Sequence, residues 1–266
     1  MQIPKDVTKV VNVLKKLKDV KAIGLYGSIA MGFADEYTRD FDMIVFCDKF
    51  PNKKVREKIL KSVVKKWHSA YTVWEFIDVF DTEKHKDCII QYRKVNQFED
   101  KIKNFKEKLW FDEELSVFVI YTKSLYDPKG LLKKWKRITK KYPDWFRRHT
   151  LGLLTGIFRF TRSDTIKKEL KRGDINFLND RVANVKNMLD GVVFALNKTY
   201  YYPKWAFKFY PKFKLLPKDF ISKLDRFNKI EGISLKEKIE IIDHLAQEVY
   251  EIAKKEIPDL NIITKF

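Results

Sequence analysis

The sequence predicts an α+β protein in two parts, an N-terminal mixed-sheet domain over residues 1–126 and a C-terminal α-helical bundle over residues 127–266. Three observations carry that expectation. Short apolar runs alternate with helical stripes through the first half. The stretch LYDPKG at 125–130 brings Pro and Gly together, a signal that ends regular structure. Beyond it the apolar residues step by three and four.

In order along the chain, Val10, Val11, Val13, Leu14 and Leu17 predict a helix over 6–18. KAIGLY and DFDMIVFC read as strands. Val55, Ile59, Val63 and Trp67 step by four and predict a helix over 53–68. YTVWEFIDVF and CIIQYRKV read as strands that could pair around the polar DTEKHKD. A helix over about 96–109 and a strand LSVFVIY are expected next. In the second half, Leu178, Val182, Val185, Leu189, Val192 and Leu196 form a buried helical stripe. Ser234 and Glu237 form a capping box that opens a last helix with Leu235, Ile239, Ile242 and Val249. There are no repeats and no low-complexity tract.

Composition narrows the classes. With 45% hydrophobic and 15% aromatic residues the chain is not disordered. Two cysteines, Cys47 and Cys88, cannot make a disulfide framework, so a reducing cytoplasm is the expectation. No apolar run is long enough for a membrane span. The net charge of +19 divides into +5 over residues 1–125 and +14 over 126–266. The C-terminal half should therefore attract anions, including nucleic acid, although a Lys/Glu-rich surface explains the same count.

The chemistry concentrates in GLYGSIAMGFADEYTRDFDMIVF, residues 24–46. Asp40 and Asp42 alternate onto one side of a strand, where two carboxylates repel unless a cation lies between them. Gly27-Ser28, at the turn into a helix, can offer backbone N–H groups and a hydroxyl to a phosphate. The glycines fit neither a dinucleotide fingerprint nor a P-loop. No His spacing suggests a metal site, and Ser28 has no triad partner.

Gly-Ser, an 11-residue spacer and Asp-x-Asp resemble the signature of the DNA polymerase β-like nucleotidyltransferase superfamily. The resemblance implies a mixed-sheet palm, two Mg²⁺ ions on Asp40 and Asp42, and transfer of a nucleoside monophosphate from a nucleoside triphosphate, ATP foremost. The two-part layout is similar to the kanamycin and lincosamide nucleotidyltransferase branch, which implies a small-molecule acceptor. The arginine many members carry is Met31 here, and Arg39 could supply its charge to the nucleotide. The third metal carboxylate that the resemblance implies should stand mid-strand where CIIQYRKV has Ile89. Asp78, Asp87 and Glu75 are nearby candidates, and Asp78 is the choice. Flanked on its own face by Phe76 and Phe80, it is costly to bury unless a cation or a donor meets it. The acidic base that aminoglycoside enzymes carry early in the second domain is missing, since residues 145–163 hold no acid.

Other handles lie in the second half. Arg172 could hold triphosphate, and Asp174 could accept the acceptor hydroxyl's proton; a helix junction explains both as well. The segment 198–214 holds five lysines, Lys204 among them as a nucleotide-binding candidate, eight aromatics and no acid. Base stacking, a nucleic-acid platform or plain aromatic packing would produce that mix. Besides the small-molecule enzyme, two readings remain: transfer to RNA or protein, and a non-catalytic, antitoxin-like nucleotide- or partner-binding module.

Overall fold

A computed structural model describes residues 3–72, 75–109 and 111–266. The chain divides into two compact units, Met1–Lys141 and Tyr142–Phe266. The first opens with α1 (Lys5–Leu14), β1 (Val20–Tyr26), α2 (Gly27–Met31), β2 (Asp42–Cys47) and α3 (Lys53–Leu60). It continues with β3 (Lys66–Thr72), β4 (Glu75–Asp81), β5 (Cys88–Lys94) and α4 (Val95–Lys106). A short α5 (Glu113–Leu115) runs into a π-helical turn over Ser116–Ile120, followed by β6 (Lys123–Tyr126) and α6 (Leu131–Thr139). The six strands form one mixed sheet in the order β3-β4-β5-β2-β1-β6. Among the described residues only the β2–β5 pair is parallel.

Each face of the sheet has its own cover. Val7, Val10, Leu14 and Leu60 from α1 and α3 join Ile23, Leu25, Met43, Val45 and Ile90 in one core. On the other face Phe46 meets Phe98 of α4 and Trp135 of α6 at ring distances of 4.9 and 5.1 Å. Trp135 also stacks on Phe98, so α6 is built into the first unit, past the turn at which the sequence suggests a boundary.

Two expected elements differ. The helix predicted over 53–68 stops at Leu60, and Trp67 lies in β3, paired with Phe80. The four-residue step that suggested helix is matched by alternation, and the ladder to β4 takes up the backbone groups. The expected strand LSVFVIY is helical instead. Its β-branched residues favour a strand, but Leu115, Phe118 and Val119 bury as a helical face, with Phe118 edge-on to Tyr26. Val73 and Trp74, expected within a strand, lie outside the described residues.

The second unit is helical: α7 (Asp144–Leu151), α8 (Leu153–Arg162), α9 (Asp164–Arg172), α10 (Ile175–Leu196), α11 (Ala206–Phe209), α12 (Phe220–Phe227) and α13 (Leu235–Glu256). The α10 stripe is buried as its spacing predicts, against α7, α8 and α13. The Ser234 hydroxyl caps α13 by accepting from Glu237 N at 3.1 Å, while the Glu237 carboxylate pairs with Arg226. No helix is long and apolar enough to cross a membrane among the described residues.

Candidate active site

β1 and β2 bring the signature together. Tyr26 pairs with Asp42, so the chain leaving β1 turns at Gly27 directly beside the start of β2. Gly27 has φ +76°, a conformation L side chains seldom adopt, and a Cβ there would lie 2.6 Å from Asp42 Oδ2. Glycine is needed twice, for the turn and for the carboxylate packed against it. The short α2 that follows carries Ser28, half-buried, and ends at Gly32 with φ +76°.

Asp40 and Asp42 flank Phe41, which is buried edge-on to Phe80 and His85 at 5.6 and 5.3 Å. Backbone bonds hold this segment to its neighbour: Lys86 N donates to Arg39 O at 2.7 Å and Ile89 N to Phe41 O at 3.2 Å. Asp42 opens β2 and Asp40 stands two residues before it, across the anchored Phe41, and both are half-buried. Burial pushes the Cys88 thiol up to about 12, and both Asp40 and Asp42 add to the rise, so the two charges act on one place. Arg39 is exposed next to them, and Met31 closes α2 half-buried.

The third carboxylate comes out differently. Asp42 pairs across the parallel ladder with Ile89, and Ile89 with Val79. Asp78 pairs instead with Ile90, the partner of Met43, and so stands on the opposite face. Its cation is Arg56 of α3, at 2.7 Å, and the Tyr92 hydroxyl donates to its other oxygen at 2.8 Å. Both charges are buried. The buried Asp78 meets both a cation and a donor, and an arginine stands in the place expected for the metal. Arg56 was missed because its partner is 22 residues away and only sheet register shows that they meet. Asp87 lies in the turn before β5 at φ 54°, its N–H donating to Asp81. Glu75 opens β4, four positions from Val79 and thus remote from Asp42 along the strand. Among the described residues no three acidic, His or Cys side chains cluster as metal ligands.

In the second unit Asp174 is the N-cap of α10, its Oδ1 accepting from Phe177 N at 3.1 Å. Arg172 pairs with Glu169 at 2.7 Å, not with Asp174. Lys204 is exposed, its ammonium 5.6 Å from the Trp205 ring. Much of the aromatic segment around it is core: Tyr200, Tyr202, Ala206 and Tyr210 are buried.

Residues 7–111 match the model of the nucleotidyltransferase domain family, and residues 110–206 that of a domain of unknown function (DUF4037). No curated protein matches the chain. Among solved structures it is similar to a nucleotidyltransferase-like protein from Exiguobacterium sibiricum, at 10% identity and a TM-score of 0.38 over 96% of this chain and 79% of that one. It is similar to the spectinomycin adenyltransferase AAD(9) of Enterococcus faecialis with ATP and spectinomycin, at 11% identity and 0.35, over 92% and 98%. A CCA-adding enzyme in complex with CTP is similar at 13% and 0.32, over 96% and 82%. The nucleotidyltransferase domain model thus spans Gly27-Ser28 and Asp40-Phe41-Asp42, the residues on which the sequence resemblance rests.

Proposed function

We propose that the chain transfers a nucleoside monophosphate from ATP to a hydroxyl of a small molecule, with Asp40 and Asp42 holding Mg²⁺. The observation that carries this reading is the packing of the Asp42 carboxylate against Gly27, where a Cβ would come within 2.6 Å of it, with Asp40 beyond the anchored Phe41. That fits a divalent cation: two half-buried carboxylates on adjacent alternate positions and a turn shaped around one of them. Bound there, Mg²⁺ supplies neutralisation of triphosphate charge next to the acceptor hydroxyl. Ser28 donates its hydroxyl to a phosphate oxygen, the backbone at Gly27 lets the triphosphate approach closely, and Arg39 adds a positive charge beside the carboxylates. Phe41 fixes the spacing of the two acids by its burial. In the second unit Arg172 and Lys204 are the candidate phosphate contacts and Asp174 the candidate proton acceptor. The small-molecule acceptor rests on the two-part layout of the sequence, and the reaction would run in the cytoplasm.

Ile89, opposite Asp42 in the ladder, favours a second reading in which the module binds nucleotide without turning it over. Pyrophosphate release from ATP in the presence of Mg²⁺, measured with candidate hydroxyl acceptors, separates the two. Asp40→Asn and Asp42→Asn should each abolish release and leave the thermal midpoint equal or higher, because removing one charge relieves repulsion between neighbours. Turnover near wild type in either variant removes the metal assignment. ATP binding without release in the parent chain selects the binding module.

A further inference from the structure

Within the second unit α8, α9 and α10 enclose a cavity of about 560 Å³, inside the size range of small-molecule sites. Its lining is mixed. Phe160, Ile166 and Phe177 provide an apolar wall, and Arg159 and Arg181 stand at the exposed side. Gly156 leaves the floor open, since a Cβ there would come within 3.3 Å of Met188 Cε.

The charges in this cavity do not cancel. Glu169 is neutralised by Arg172 at 2.7 Å. Neither Arg159 nor Arg181 pairs with a carboxylate among the described residues. Arg181 is held between two rings, 5.8 Å from Phe160 and 5.9 Å from Phe177, which orients its guanidinium and leaves its in-plane donors for a ligand. Phe177 is 49% exposed although large and apolar, and its neighbour Ile175 is 53% exposed. The exposed Phe177 ring beside two guanidinium groups without a carboxylate partner calls for a ligand with both features.

We infer that this cavity binds a small organic anion with a flat apolar body, the anionic group on Arg159 and Arg181 and the ring system against Phe160 and Phe177. A carboxylate, sulfonate or phosphate would each satisfy the arginines through paired hydrogen bonds. The site consists only of second-unit residues and does not depend on the carboxylates of β2, so binding is read without any transfer reaction.

The test uses the whole chain and two fluorescent probes that share a ring system, anilinonaphthalene sulfonate and the uncharged phenylnaphthylamine. The sulfonate should saturate one site per chain, more tightly than the neutral probe. Arg159→Gln with Arg181→Gln, both exposed positions that leave the core intact, should weaken the sulfonate by roughly tenfold or more and the neutral probe by less than about twofold. Phe177→Ala should weaken both probes. The inference is overturned if the sulfonate shows no saturable single site, if the neutral probe binds wild type as tightly, or if the double glutamine variant keeps the sulfonate affinity. Each result stands whether or not the chain releases pyrophosphate.

Discussion

Gly27 and Asp42 are shaped for each other, and the consequences are measurable one residue at a time. Gly27→Ala combines a left-handed backbone with a Cβ 2.6 Å from Asp42 Oδ2, so it should cost about 1–3 kcal/mol in urea unfolding. Mg²⁺-dependent ATP binding should fall with it, because the carboxylate must swing away. Unchanged stability together with unchanged binding would contradict the packing at this turn. Ser28→Ala should weaken ATP binding by about 1 kcal/mol or more in calorimetry, the usual loss of a hydrogen bond to a charged group. Equal affinity would take Ser28 out of the site. These residues were legible in the sequence because the motif is local: strand, turn and strand lie between Val20 and Cys47, and alternation alone suggests that the acids share a face. Asp78 was legible only in part. The cost of burying an acid between aromatics is a sequence-level argument, whereas the identity of its cation depends on which helix covers that face.

At the scale of elements, the buried Arg56–Asp78–Tyr92 set ties α3 to β4 and β5. Arg56→Met should destabilise the chain by about 3–5 kcal/mol, since it strands a buried carboxylate. Asp78→Leu added to it should recover most of that loss, and strict additivity of the two variants in urea melts would argue against a coupled pair. In α10 the Asp190 carboxylate is 1% exposed and accepts from Lys186 at 2.6 Å. Burial holds its carboxyl above the usual range, against the pull of Lys186. The folded state thus binds that proton more tightly than the unfolded chain does. The contribution is complete below the ordinary carboxylate pKa and is lost as pH rises from there through the raised folded value. Asp190→Asn should flatten that part of the stability–pH profile, so an unchanged slope across acid pH would reject the assignment. Element identity itself was readable where pattern and environment agree, as in the α10 stripe and the β4–β5 pairing. It failed at LSVFVIY, where β propensity met a helical burial pattern and packing on Phe98 and Tyr26 prevailed.

For the whole molecule, the second unit closes its own core, from Leu151 to Ile262, around α10 and α13. Residues 142–266 expressed alone should therefore unfold cooperatively with a helical circular dichroism spectrum. A fragment that shows no transition would mean that this core is incomplete by itself. The order of the parts, a mixed sheet followed by helices, was determined by the sequence, because periodicity and turn chemistry are properties of neighbours along the chain. So were the signature and its two carboxylates, and the greater positive charge of the C-terminal half. What only the tertiary structure decided is which distant residues share a face. It put Asp78 behind the sheet with Arg56, placed Ile89 opposite Asp42, built α6 into the first unit through Trp135, and left Arg159 and Arg181 unpaired beside exposed Phe177. The physical reason is common to the first three, and the exposed Phe177 stands out against it. Register and layer packing minimise buried unpaired charge and exposed apolar area over the whole fold, a balance that no local window of sequence contains.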